Sequence, residues 1–204
     1  MYRLDPALGA TMLAAVFASG CGGLRAPQNA ATGAAAATPR SALVQLLTPG
    51  GARMGQAVLT ATPLGVEVVF TASGLTPGNH GLHIHANGSC APGADATTGN
   101  TVDFGAAGGH FDPGESRKHG RPGDPAHVSH AGDLPNLNAD AAGNASMRYV
   151  NAQVTLAPGK ASVIGRALVV HAGPDDYQSN PAGNSGARVL CGVIEPAQFG
   201  SVVG

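Results

Sequence analysis

Charge is scarce in this sequence, and so is any long apolar run. Charged residues make up 11% of the 204, and the formal net charge is −1, so there is no basic field of the kind that gathers nucleic acid. An apolar run near the start, from about Leu8 to Phe17, is too short to span a bilayer, which excludes it as a permanent transmembrane helix. No long 3.6-residue periodicity follows it, so long amphipathic helices are not expected. Tryptophan is absent, and cysteine occurs only 3 times. In their place stand 31 glycines, 15 prolines and 8 histidines, the last against 11 lysines plus arginines. A composition this rich in turn residues favours many short strands over long helices.

The first forty residues differ in kind. "MYRLDPALGATMLAAVFASGC" has an arginine, then the short apolar run, and reads as a secretory signal peptide spanning 1–21. Its ending "FASGC" resembles a bacterial lipoprotein signal, in which Cys21 is lipidated and becomes the new N-terminus; a simple signal peptide with an incidental Cys21 is the alternative. The Ala/Gly/Pro-rich stretch 22–40 cannot bury a core and is expected to be a tether. These features point to export to the cell envelope or periplasm, with the lipid at Cys21 as the one membrane contact. Cys90 and Cys191 then remain. If they pair, the disulfide closes a loop worth about 4–5 kcal/mol in the chain-entropy model, and the alternative is two free buried thiols.

From residue 41 the pattern changes to short β-rich runs bounded by Gly, Pro and Asn: "ALVQLL", "GQAVLTA", "VEVVFTASGL", "HGLHIHANG", "NASMRYV", "AQVTL", "SVIGRALVVHAG" and "ARVLCGVIE". This predicts one all-β domain over 41–198, a sandwich or barrel, followed by a short tail at 199–204. Two stretches, 89–135 and 172–187, are too long and polar to be hairpins, and long loops in compact domains are usually functional or disordered.

Seven of the eight histidines fall between His80 and His130. In "GLHIHANGSC", His83 and His85 are two residues apart, so a strand projects both from one face while Leu82 and Ile84 point to the other. An H-x-H pair alone is a weak metal signal. The loop "GGHFDPGESRKHGRPGDPAHVSHAGDLPN" adds His110, His119, His127, His130 and Asp133, and "LVVHAGPDD" adds His171. Three imidazoles and a carboxylate make a closed zinc site, and four imidazoles suit copper.

"GNHGLHIH", "AGGHFDP", "HAGDLPN", "GRALVVHAGPDD" and "GNSGARVLCGVI" occur in this order and resemble the signature segments of the copper–zinc superoxide dismutases, of the bacterial exported, lipoprotein-like type, over about residues 41–197. The resemblance implies a Greek-key β-sandwich or flattened barrel of about eight antiparallel strands with two long functional loops. It implies copper on His83, His85, His110 and His171, and zinc on His110, His119, His130 and Asp133, with His127 a competing zinc ligand. His80 matches a histidine that orders backbone and is not a ligand. Arg188 matches an anion-anchoring arginine, Asp175 a carboxylate that orients His83 and His119, and a Cys90–Cys191 bridge would pin the loop after His85 to the strand carrying Arg188. The implied activity is conversion of superoxide to dioxygen and hydrogen peroxide by alternating reduction and reoxidation of copper, with zinc structural and His110 delivering a proton. A non-catalytic copper-binding or buffering lipoprotein of the same fold is the alternative, and monomer and homodimer are both open. The second loop, "AGPDDYQSNPAGNSGA", contains no lysine; Pro181 and Ala182 stand where many relatives place Lys and Thr, and Arg117, Lys118 and Arg121 are the candidates to compensate.

Overall fold

The structure, a computed structural model, describes residues 40–95 and 98–197. The signal segment, Cys21, all of the tether but Arg40, and the tail lie outside the described residues. The strands are β1 (Ser41–Leu47), β2 (Arg53–Thr62), β3 (Gly65–Ala72), β4 (Gly78–His80), β5 (Leu82–His85), β6 (Gly93–Ala94), β7 (Thr101–Val102), β8 (Leu137–Ala139), β9 (Ala145–Asn151), β10 (Ala167–His171), β11 (Arg188–Val193) and β12 (Glu195–Pro196). The principal sheet has 10 strands, ordered β4-β8-β9-β3-β2-β1-β11-β10-β5 with β12 added to β1. Every pairing between named strands is antiparallel. The two ends of this path, β4 and β5, are separated in the chain by Gly81 alone. The sheet therefore curls until its ends meet, as a nearly closed flattened barrel. Counting β4 with β5 as one interrupted strand and setting aside the two-residue β12 leaves 8 of the 10.

Local sequence accounts for the strand faces. In β1, "SALVQLL" buries Ala42, Val44 and Leu46 while Leu43 and Gln45 face out, the period of two that a sheet with one wet face requires. β3 alternates in the same way, burying Val66, Val68, Phe70 and Ala72. The core joins these to Leu82, Ile84, Leu134, Leu137, Leu168, Val170, Leu190 and Ile194. At about 1.5–3 kcal/mol for each large side chain removed from water, this cluster is the main source of stability.

β5 and β10 break the alternation, for all their residues are buried. Leu82 and Ile84 face the core. His83 and His85 face the other way and are covered by the loops 86–136 and 172–187 rather than by water. The disulfide Cys90–Cys191 is formed, with a Cα–Cα distance of 5.7 Å and a sequence separation of 101. It packs with Phe104, Ala107, Ala167 and Val169 in a small second core beneath the first loop.

Candidate metal centre

Backbone pairing assembles the centre. The first loop returns to β5, where Phe111 N–H donates to Ile84 O at 2.8 Å and Ile84 N–H donates to Gly132 O at 2.9 Å. Isolated bridges set His110 beside His85 and Asp133 beside His83. Gly132 permits the approach, since a Cβ there would fall 2.2 Å from Ile84 O. On its other side β5 pairs with β10, whose last residue is His171.

Each ring then has one nitrogen committed to the protein. His85 Nδ1 donates to Gly108 O at 2.9 Å and His171 Nδ1 to Gly186 O at 3.1 Å. A carbonyl only accepts, so both rings carry their proton on Nδ1 and turn a bare Nε2 inward; those two atoms lie 3.4 Å apart. His83 gives Nε2 to Asp175 Oδ2 at 2.8 Å, and His110 gives Nδ1 to Asp133 Oδ1 at 2.8 Å. Their other nitrogens, His83 Nδ1 and His110 Nε2, are buried without a hydrogen-bond partner. Such orphans are costly in a folded protein unless another ligand meets them. His83, His85, His110 and His171 offer donor atoms all within 4.8 Å of one another. Four nitrogens of this kind fit copper.

On the far side of His110, Asp133 Oδ1 faces three ring nitrogens: Nδ1 of His110 at 2.8 Å, of His119 at 3.1 Å and of His130 at 3.3 Å. Tetrahedral zinc with bonds near 2.0 Å would set its donors about 3.3 Å apart, close to these spacings. His83, His110, His119 and Asp133 also form a quartet within 4.8 Å. His83 enters it because its ring stacks on His110 at 3.9 Å, but its Nε2 belongs to Asp175 and its Nδ1 completes the first group. The fit to two metals sharing His110 rests on its two nitrogens, one facing each group.

Burial sets the protonation of the first group. It lowers the pKa of His83 and His171 to about 4 and that of His110 to about 3, and it holds His85 well below its usual value. All four are therefore neutral at pH 7, the form that donates to a metal. His119 behaves oppositely. Burial works against its proton, yet hydrogen bonds to Asp133 and Asp175 prevail and raise it to about 9. Asp133 and Asp175, despite burial, are kept well below the carboxylate range by their histidine partners.

Arg188, at the start of β11, is half-buried beside this cluster and donates to Phe104 O at 2.8 Å and Gly108 O at 2.7 Å. With His85, His110, His171 and the second-loop residues Pro181 and Ala182, it lines an open cavity.

The match to a family model settles the relationship. Residues 50–194 fit the family described as copper/zinc superoxide dismutase. The chain belongs to the copper/zinc superoxide dismutase family. It is 45% identical over 150 residues to "Superoxide dismutase [Cu-Zn]" of Deinococcus radiodurans, covering 74% of this chain and 81% of that one. Against "Superoxide dismutase [Cu-Zn] 1" of Aquifex aeolicus it is 42% identical over 152 residues, 71% of this chain and 82% of that one. Its fold is similar to the Cu/Zn superoxide dismutase of Brucella abortus, with a TM-score of 0.65 at 39% identity, covering 76% of this chain and 99% of the other. This family member is thus an oxidoreductase whose metals are copper and zinc.

Other residues singled out by sequence now have places. His127 is exposed; neither it nor His130 belongs to the two four-residue groups, but His130 is buried with Nδ1 at 3.3 Å from Asp133 Oδ1. His80 spans Thr76 O and His171 O at 2.7 Å each, bracing the backbone behind His171. Asp175 bridges His83 and His119, its Oδ1 accepting from His119 Nε2 at 2.7 Å. Arg117, Lys118 and Arg121 are exposed and none lines the cavity, so any field they add passes through solvent and is screened within about 8 Å at physiological salt.

Sequence reasoning gave no role to three neighbours. Asn136 clamps Asp175 from both sides, with Asn136 Nδ2 donating to Asp175 O and Asp175 N–H donating to Asn136 Oδ1, each at 2.9 Å. Asn180 Oδ1 accepts from His119 N–H at 2.6 Å, tying the second loop to the first. Gly183, at φ 61, roofs the Asp175–His119 bond. Asn136 closes the motif "HAGDLPN", which was the one available hint; nothing in sequence marks the other two.

Proposed function

We propose that the chain is an exported enzyme of the cell envelope that dismutates superoxide, with copper held by His83, His85, His110 and His171 and zinc by His110, His119, His130 and Asp133. The observation that carries this reading is the division of His110, whose Nδ1 faces Asp133 while its Nε2 is buried without a protein partner beside the other three imidazoles. His130 is preferred to His127 because it is buried with Nδ1 at Asp133.

Bound there, copper supplies the one-electron exchange that yields dioxygen from one superoxide and hydrogen peroxide from the next. The protein does the rest. Arg188 carries a permanent positive charge in the cavity wall, and its two backbone hydrogen bonds fix the direction in which it presents that charge to a small anion. His110 lines the same cavity, and its buried, unpartnered Nε2 is the atom placed to hold and release a proton. Asp175 fixes the rings of His83 and His119 together, and Asn136 fixes Asp175. The disulfide ties the loop bearing Phe104 and Gly108 to the strand bearing Arg188.

Export with lipidation of Cys21 follows from the signal-like start alone. The deciding experiment loads the purified chain with copper and zinc and measures metal content together with superoxide dismutation. Full loading with activity supports the enzyme; full loading without activity puts the copper-buffering alternative ahead. Cell fractionation of wild-type and Cys21→Ser protein tests the anchor, the variant being expected in the soluble fraction.

A further inference from the structure

The wall of the copper cavity carries little fixed charge. The second loop gives it Asn180, Pro181, Ala182 and Asn184, all neutral. Its nearby acid, Asp176, is bound into the loop itself by Ser179 and Asn184. Among the described residues, the charged side chains lining the cavity apart from the histidines are Arg188 and Asp95.

Asp95 directly follows β6, where the chain turns toward β7, within the loop anchored by Cys90. Its position is fixed. Asp95 N–H donates to Asn100 O and Gly99 N–H to Asp95 O, both at 2.8 Å, and Oδ1 accepts from Thr98 N–H at 2.9 Å and Thr98 Oγ1 at 3.1 Å. A second cavity beside Arg188 is also lined by both Asp95 and Arg188. Asp95 therefore stays close enough to Arg188 for its negative charge to favour the guanidinium's positive one, against the burial that disfavours it.

An anion at Arg188 thus feels a fixed attraction and a fixed repulsion from the same wall. Coulomb energy is proportional to the anion's charge, so the factor by which Asp95 weakens a dianion is the square of its factor for a monoanion. We propose that Asp95 is a specificity-determining residue that weakens doubly charged anions at the copper cavity more than singly charged ones such as superoxide. This rests on the reading above, that copper and Arg188 form the anion site.

The test is Asp95→Asn in the copper- and zinc-loaded full chain; the amide oxygen can still accept from Thr98. Azide, a monoanion that ligates copper, is titrated by visible absorption, and sulfate, a dianion, is measured by its displacement of azide. The variant is expected to bind azide up to about threefold more tightly and, by the squared factor, sulfate up to about tenfold more tightly. Glu195→Gln, an exposed acid of β12 that lines neither cavity, is expected to leave the sulfate-to-azide ratio unchanged. If Asp95→Asn distorts the hairpin, Asp95→Ser repeats the test with a neutral acceptor. Equal changes for the two anions, or no change, overturn the proposal. Azide binding is read from the metal's spectrum, so a chain that binds azide yet fails to dismutate superoxide would remove the enzymatic reading and leave the role of Asp95 to be judged by the two anions.

Discussion

Gly183→Ala is the sharpest probe of how the two metal sites are joined. Gly183 sits at φ 61, and a Cβ on it would fall 1.8 Å from Asp175 Oδ1 and 2.7 Å from His119 Nε2. Two separate costs follow. The left-handed backbone costs an L-residue about 1–2 kcal/mol. The clash forces Asp175 away, which breaks hydrogen bonds to His119 and His83 now at 2.7 and 2.8 Å; bonds to charged groups are worth about 1.5–3 kcal/mol each. Gly165→Ala separates the terms, because Gly165 is at φ 74 with nothing within 4 Å of its Cβ position. Urea unfolding of the loaded protein is expected to show a loss of about 1–2 kcal/mol for Gly165→Ala and about 4–8 kcal/mol for Gly183→Ala. Chelator competition should show zinc held about 10–100-fold more weakly in the Gly183 variant alone. Equal losses in the two variants, with zinc affinity unchanged, would refute the claim that this glycine keeps the Asp175 bridge in place.

Further outcomes test the ligands and the scaffold. His130→Ala is expected to lose zinc on metal analysis and His127→Ala to retain it; the reverse pattern would exchange their roles. His171→Ala should lose dismutation while zinc content stays at wild-type level, and retained activity would break the copper assignment. The double replacement Cys90→Ser, Cys191→Ser should cost about 4–5 kcal/mol in unfolding free energy, from the entropy of the opened loop; a loss below about 1 kcal/mol would mean that loop packing alone holds Arg188 against the site. Asn136→Ala, which removes both clamps on Asp175, should weaken zinc binding about tenfold without altering the cavity charge, as read by chelator competition beside an unchanged salt dependence of the rate.

The histidine clustering was legible because strand geometry fixes what H-x-H must do, whereas the division of the rings between copper and zinc came only as what the family resemblance implies. His83 and His85 share a face by the two-residue period, and the buried partners Leu82 and Ile84 confirm which face is core. The β-rich runs of 41–62 are likewise where the sequence puts them, with the alternation visible in "ALVQLL". The two polar stretches fold as the loops that cover the histidines, with the two-residue strands β6 and β7 in the first, since they have too few apolar residues to build longer strands.

Taken alone, then, the sequence determined an all-β domain, the order of its metal-binding residue types and the pair of cysteines able to anchor them. Only the tertiary structure decided which nitrogen of each ring is bare, because the groups that occupy the other nitrogen lie far along the chain, as Asp175 does from His83 and Gly108 from His85. It also buries His130 and leaves His127 exposed, a difference of burial added to the preference for His130 that the motif "HAGDLPN" implied. Asp95 had no mark in sequence at all. It comes to the copper cavity because the disulfide loop folds back over β11, and a charge acts through distance in space, whatever its distance in chain.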